Sequence, residues 1–307
     1  NYGVNSGTQS MAAISSNSGF TKIIQNAATV TITNMDAGTT TLELVGGVAT
    51  AAGTFTRLID STTNAITVKA TTANMAYTGD LGVADEETVT FDSSAFDLVV
   101  AGDITSTDTT AVVLTGSNLI TLGNNGTKEF SSTKIATIDA SGVTGTEAVN
   151  VFAINNTVAM TVTGPATTGK FTFDGGSGAD TITGGGGILD VDAGLGDDTI
   201  TGGAKADVLQ GEGGSDTITG GEGADYIDGG AGVDTISLTE TTAASDEVEL
   251  AIGASNYDVI TGFASGAGTG ADNISALDAT YGWLSTDGTS TVALSTGATL
   301  KAADAAA

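Results

Sequence analysis

Residues Gly175–Ser237 run GGSGADTIT, GGGGILDVD, AGLGDDTIT, GGAKADVLQ, GEGGSDTIT, GGEGADYID, GGAGVDTIS without an insertion. The shared pattern is Gly-Gly-x-Gly-x-Asp-x-U-x, in which U is a large aliphatic residue. Position six is Asp180, Asp198, Asp207, Asp216, Asp225 and Asp234, interrupted once by Leu189. Position eight is Ile182, Val191, Ile200, Leu209, Ile218, Ile227 and Ile236, and it is never interrupted. A glycine-rich linker with scattered acids has no reason to hold an aliphatic residue in phase over seven units, so the block reads as structure. The glycine half must turn sharply, through backbone angles closed to a residue with a Cβ. The Asp-x-U-x half is a short strand whose U side chain points into a core.

These units resemble the calcium-binding nonapeptides of the RTX (repeats-in-toxin) family, a parallel β-helix repeat. The resemblance covers about a fifth of the chain. It implies an all-β fold, a parallel β-helix or β-solenoid containing a calcium-binding RTX β-roll and closed by a C-terminal β cap. Two units make one coil, so turns on one edge recur every 18 residues. One edge carries the turns beginning at Gly175, Ala193, Gly211 and Gly229; the other carries those at Gly184, Gly202 and Gly220. Facing carboxylates and carbonyls are oxygen ligands, which suit the hard cation Ca²⁺ rather than zinc or copper. A stack of unneutralised aspartates repels itself, so folding is expected to need the metal.

The resemblance also implies a ligand set. In rolls of this family each ion takes carbonyls two and four plus the Asp of one turn, and carbonyls one and three plus the Asp of the next. The first site would then use Gly176, Gly178 and Asp180 with Ala193, Leu195 and Asp198. The second would use Gly194, Gly196 and Asp198 with Gly211, Gly213 and Asp216. The third would use Glu212, Gly214 and Asp216 with Gly229, Ala231 and Asp234. On the other edge Gly203, Lys205 and Asp207 would meet Gly220, Glu222 and Asp225. These make about four sound sites. A fifth, between the Gly184 and Gly202 turns, is doubtful because Leu189 stands at the aspartate position, with Asp190 one residue out of register. Lys205 and Glu212 replace glycines where only a carbonyl is needed, so they are expected to cost turn freedom rather than a ligand.

Bulk properties agree with a cation-binding surface. Eight Lys and Arg against 36 Asp and Glu leave a net charge of −28 in 307 residues, with no histidine. Such a chain repels nucleic acid and anionic membranes. A hydrophobic fraction of 40% and a single proline argue against a disordered acidic tail. Without cysteine there is no disulfide and no thiolate site. Without histidine as well, His-dependent triads, zinc sites of the HExxH type and Cys nucleophiles are absent, so no enzyme is expected here. No apolar run is long enough to span a bilayer, and no amino-terminal signal peptide is visible. A start at Asn1 points to processing or to a piece of a longer chain.

Outside the block, residues 1–20 are polar and rich in Gly and Ser and read as an arm or linker. Residues 21–174 form a Thr/Ala/Val-rich β domain with apolar residues alternating with Thr, the period-2 mark of strands. Examples are Thr29–Thr33, Thr40–Val45, Ala65–Lys69, Glu87–Phe91, Ala111–Leu114, Lys134–Ile138 and Ala159–Thr163. Their irregular spacing suits either a β-helix with unequal loops or an antiparallel sandwich. The β-helix is preferred because it feeds directly into the nonapeptide coils, and Pro165 would mark the seam. Residues 238–307 read as a β cap region, because an open coil end exposes core and unpaired backbone. Trp283 near Tyr281 reads as cap core.

Three functions fit these residues. The preferred one is a calcium-dependent structural protein of the bacterial cell surface, resembling RTX-type surface-layer subunits. It would be exported by a type I system and would assemble with other copies of itself, with cell-surface polysaccharide as a candidate anchor. The second is an extracellular adhesin. The third is the non-catalytic part of a larger secreted enzyme or toxin.

Overall fold

The computed structural model describes residues 2–4, 7–10, 22–25, 30–35, 40–44, 52–57, 62–124, 129–167, 169–250, 258–264, 270–276 and 292–293. Among them every regular element is a strand, and no helix is long and apolar enough to cross a membrane. The strands form three sheets of 14, 10 and 6 members. The first runs from Tyr2–Val4 to Val292–Ala293, the second from Met75–Tyr77 to Asn273–Ala276, and the third from Gly7–Ser10 to Phe130–Ser131.

Pairing decides between the two β architectures. Thr88–Ser93 pairs in parallel with Ala65–Ala70 on one side and Ala111–Gly116 on the other, and this pattern continues along the first sheet. One pair is antiparallel, Val259–Thr261 with Val292–Ala293 at the sheet's end. A sandwich of hairpins requires antiparallel neighbours, so the described strands from Lys22–Gln25 to Phe171–Asp174 belong to the same solenoid as the roll. Alternation explains why these segments pleat as they do. Val89 and Phe91 point inward while Thr88, Thr90 and Asp92 are only partly covered.

The coil changes size along the axis. Glu86 and Thr109, 23 residues apart, are hydrogen-bonded between successive coils, whereas equivalent residues in the roll are 18 apart. The third sheet ends at Phe130–Ser131, so the early coils are three-sided and the roll is two-sided. Tyr77, Phe55, Phe91 and Phe130 fill the wider part, with the Phe91 and Phe130 rings edge-to-face at 6.2 Å and 88°. In the roll the two remaining sheets close on one aliphatic residue per strand. Ile182, Ile200, Ile218 and Ile236 face Val191, Leu209 and Ile227, all buried. Each such burial contributes about 1.5–3 kcal/mol, which is why position eight tolerates no interruption.

Two expectations change. The supposed arm contributes strands at Tyr2–Val4 and Gly7–Ser10, each in parallel register with the next coil, because even a polar segment completes a sheet edge that would otherwise leave its backbone unpaired. Pro165 is not a seam: Thr161–Thr163 pairs directly with Thr181–Thr183 across it. Trp283 and Tyr281 lie outside the described residues.

Candidate metal centre

The six motif aspartates form two ladders. On the first edge the Asp180 N–H donates to Asp198 Oδ1 at 2.6 Å, Asp198 N–H to Asp216 Oδ1 at 2.8 Å, and Asp216 N–H to Asp234 Oδ1 at 2.8 Å. On the second, Leu189 N–H donates to Asp207 Oδ1 at 2.7 Å and Asp207 N–H to Asp225 Oδ1 at 2.9 Å. Each carboxylate therefore grips the coil before it with one oxygen. The other oxygen is exceptional. Oδ2 of Asp180, Asp198, Asp216, Asp225 and Asp234 is enclosed without a hydrogen-bond partner, in residues no more than 2% exposed. A buried acceptor left unsatisfied costs about 1–3 kcal/mol, more when charged, so four in one ladder and a fifth in the other call for a cation.

The turns are built to bring backbone oxygen to the same place. The carbonyls of Ala193, Gly229 and Gly220 point at the α-carbons of Gly175, Gly211 and Gly202 one coil earlier, where a Cβ would collide. Those of Gly178, Gly196, Gly214 and Lys205 press in the same way on Gly196, Gly214, Gly232 and Gly223 one coil later. Asp Oδ2 lies against the position-one glycine of its own turn, 2.9 Å from where a Cβ on Gly202 would stand and 2.7 Å on Gly220. Glycine is thus the cradle, and a side chain would fill the space the ion needs. The carbonyls of Gly176, Gly194, Glu212 and Gly203 accept the N–H of Leu195, Gly213, Ala231 and Glu222 at 2.7–3.0 Å. Gly213 and Ala231 accept from Gly196 and Gly214, and Gly211 accepts from Gly213. Each carbonyl keeps a second lone pair for a metal. Among the described residues no three acidic side chains converge on one point, so a cation here takes stacked carboxylates and a majority of carbonyls, the ligand set of Ca²⁺.

Turn conformation separates the sites that the repeat alone makes equal. Left-handed residues at positions two and four occur together in four turns, at Gly194 and Gly196, Glu212 and Gly214, Gly221 and Gly223, and Gly230 and Gly232. The turns beginning at Gly175, Gly184 and Gly202 lack this pair. At the Gly202 turn position four is Lys205, whose Cβ disfavours the left-handed region. That turn instead folds back so that Gly203 N–H donates to Asp207 Oδ2 at 2.6 Å. Both oxygens of Asp207 are then engaged, and Lys205 costs more than turn freedom.

Leu189 also acquires a reason. It stacks in register on Phe171, Val149, Ile120, Leu98 and Met75, one apolar column along the second sheet. It is the column's last buried rung before Asp207 replaces it. Met160 stands in the same relation to Asp180 on the first edge, donating its N–H at 2.7 Å. The second ladder thus begins where an apolar column ends, and the first begins after the buried Met160.

Burial governs the electrostatics. It pushes Asp180, Asp216 and Asp225 up to about 7, with like-charged rungs adding to the shift. Asp198, Asp207 and Asp234 are also raised by burial, against backbone hydrogen bonds that lower them. The lysines that form ion pairs serve other acids: Lys22 and Lys69 reach Glu43, Lys134 reaches Asp108, and Lys170 reaches Asp190.

The ladders outrun the repeat. Asp225 N–H donates to Asp246 Oδ1 at 2.9 Å and Asp246 N–H to Asp272 Oδ1 at 3.1 Å. On the other edge Asp234 N–H donates to Asp258 Oδ1 at 2.9 Å. Sequence reasoning missed these three because the glycine half of the unit is gone. The surviving signal is Asp-x-U, in Asp246-Glu-Val248, Asp258-Val-Ile260 and Asp272-Asn-Ile274.

Comparison with known families agrees with this geometry. Residues 172–188, 192–227 and 201–236 match the family model described as RTX calcium-binding nonapeptide repeat (4 copies). Over these residues the roll is similar to RTX calcium-binding repeats. RTX repeats bind calcium and typically occur in secreted proteins. No curated protein and no solved structure matches the chain.

Proposed function

We propose that this RTX chain is a structural, non-enzymatic protein of the bacterial cell surface that assembles with copies of itself in calcium, as a surface layer or an extracellular filament. The observation that carries the reading is a difference between the two faces of the solenoid. The first sheet presents rows of exposed threonine, Thr161, Thr181, Thr199, Thr217 and Thr235, in register on successive strands. The second presents a column of partly buried acids, Asp174, Asp192, Asp228 and Glu249, interrupted by Gln210. Burial and mutual repulsion raise Asp174 to about 6, and Asp192 and Asp228 are raised as well, mainly by burial. An acidic wall of this kind keeps copies apart until divalent cations bridge them, while the flat neutral face offers hydroxyls for lateral packing.

Export by a type I system and an anchor on surface polysaccharide belong to the same proposal. Imaging the purified chain in calcium and in chelator tests it. Ordered sheets or filaments that disperse on chelation support assembly. Single particles in both conditions refute it and leave an adhesin or a module of a larger secreted protein.

A further inference from the structure

The segment after the last matched repeat breaks the nonapeptide pattern. Residues Leu238–Ser245 lead from the strand Thr235–Ser237 to Asp246 where a glycine turn would stand. The preceding turn holds this segment through the Glu222 side chain. Its carboxylate accepts the N–H and hydroxyl of Thr241 at 2.7 and 2.6 Å and the N–H of Thr242 at 3.0 Å. That clasp folds Glu240 onto the ladder. Glu240 Oε1 accepts the N–H of Ala244, and Oε2 is enclosed without a partner.

The surroundings of that oxygen are acidic, and the ion pairs among the described residues lie elsewhere, at Glu43, Asp108 and Asp190. Asp225 is 2% exposed, and its Oδ2 is also unpartnered. Asp246, equally buried, takes the Asp225 N–H at 2.9 Å. Asp272 takes the Asp246 N–H at 3.1 Å with one oxygen and the Ala264 N–H at 2.7 Å with the other. Glu240 lies close enough to all three for like-charge repulsion. Two enclosed, unpartnered carboxylate oxygens on adjacent coils are not explained by packing, because an apolar residue would fill either place at lower cost.

We propose that Glu240 completes a calcium site outside the nonapeptide repeats, between the turn Gly220–Asp225 and the segment Leu238–Asp246, with Asp225 Oδ2, Glu240 Oε2 and the Asp246 carboxylate as its acidic ligands. The site rests on the calcium reading of the roll. It differs from the repeat sites by one negative charge, since stacked repeat turns offer two carboxylates and this one offers three. Ligand charge count is a main control of calcium affinity, so this site binds more tightly than its neighbours. The three side chains do not meet at one point, so turn carbonyls complete the shell and binding draws Glu240 toward the ladder.

Calorimetric titration of the full chain with calcium, wild type against Glu240→Gln, tests the site. Glutamine keeps the acceptor for Ala244 N–H and removes the charge. The expected result is one ion fewer from the tightest class, or a weakening of that class on the order of tenfold or more, with the repeat sites unchanged. Equal stoichiometry and equal affinities overturn the proposal while leaving the roll intact. Absence of calcium uptake by the wild type overturns both. Asp216→Asn serves as the control, losing repeat-site binding while the tight class persists. Should Glu240→Gln fail to fold, crystals of the wild type grown with terbium decide the matter. Anomalous density beside Glu240 Oε2 supports the site, and density confined to the repeat turns refutes it.

Discussion

Asp216 carries two duties that substitution can separate. Its Oδ1 accepts the N–H of Asp198 at 2.8 Å, and its Oδ2 is the unpartnered oxygen offered to a metal. Alanine removes both. Asparagine keeps an acceptor for the Asp198 N–H and removes only the charge. In chelator, Asp216→Ala strands a buried donor and lowers stability by about 1–3 kcal/mol. Asp216→Asn is expected to melt at or above the wild type, because it also relieves repulsion from Asp198 and Asp234. In calcium the order changes. A site held at a hundredfold over its Kd adds about 2.7 kcal/mol. Asp216 faces two inter-turn gaps, so both variants forfeit roughly 5 kcal/mol of that gain. Asp180 closes the ladder and faces one gap, so Asp180→Asn forfeits about half as much. Thermal melts by circular dichroism in calcium and in chelator measure all of this. The reasoning is refuted if asparagine falls as far as alanine in chelator, or if calcium stabilises Asp216→Asn as much as the wild type.

Other expectations follow from the turns and the titrating groups. Lys205→Gly should open the Gly202 turn, release Asp207 Oδ2 from Gly203 N–H and raise calcium uptake; unchanged stoichiometry and affinity by titration would count against it. Gly214→Ala places a Cβ on the Gly196 carbonyl at a left-handed φ of 148° and should cost roughly 2–4 kcal/mol. Gly213→Ala meets only the end of Leu195 at 3.1 Å and should be tolerated, so equal melting losses would contradict the stacking. The pH response should invert with calcium. Asp180, Asp216 and Asp225 sit near 7 in the fold and near 3.9 when unfolded. The folded chain thus holds more protons, and in chelator its stability falls as pH rises through this window. With calcium present, acidification should displace the ion and destabilise the roll. A chelated sample that loses β signal between pH 7.5 and 5, conditions set on the order of the shifts cited, would sink this account.

Much of the roll was readable because two independent periodicities coincide in it. Position eight keeps the core in phase, and position six keeps the ladder in phase. Upstream, alternation was enough to find strands such as Ala65–Ala70, Thr88–Ser93 and, on the third face of the early coils, Val30–Met35, but not every strand of that face. Its members include Leu81–Val83 and Ile104–Thr105, too short for any period to show. What a single residue does within a turn was also hidden. Lys205 and Glu212 look alike as glycine replacements, yet Glu212 adopts the left-handed angle at φ 69° and Lys205 does not. The difference lies in which position of the turn each occupies. Asp246, Asp258 and Asp272 stayed hidden because their backbone partners come from the coil before, which no local pattern records.

The ladder also has a direction. Every carboxylate holds the amide of the coil that precedes it, so each coil is fastened by residues that follow it in the chain. A partly emerged chain therefore always ends in a coil whose amide has nothing to grip it. The roll is a row of hooks that can be done up only from the far end, and the residues after Ser237 supply the first hook.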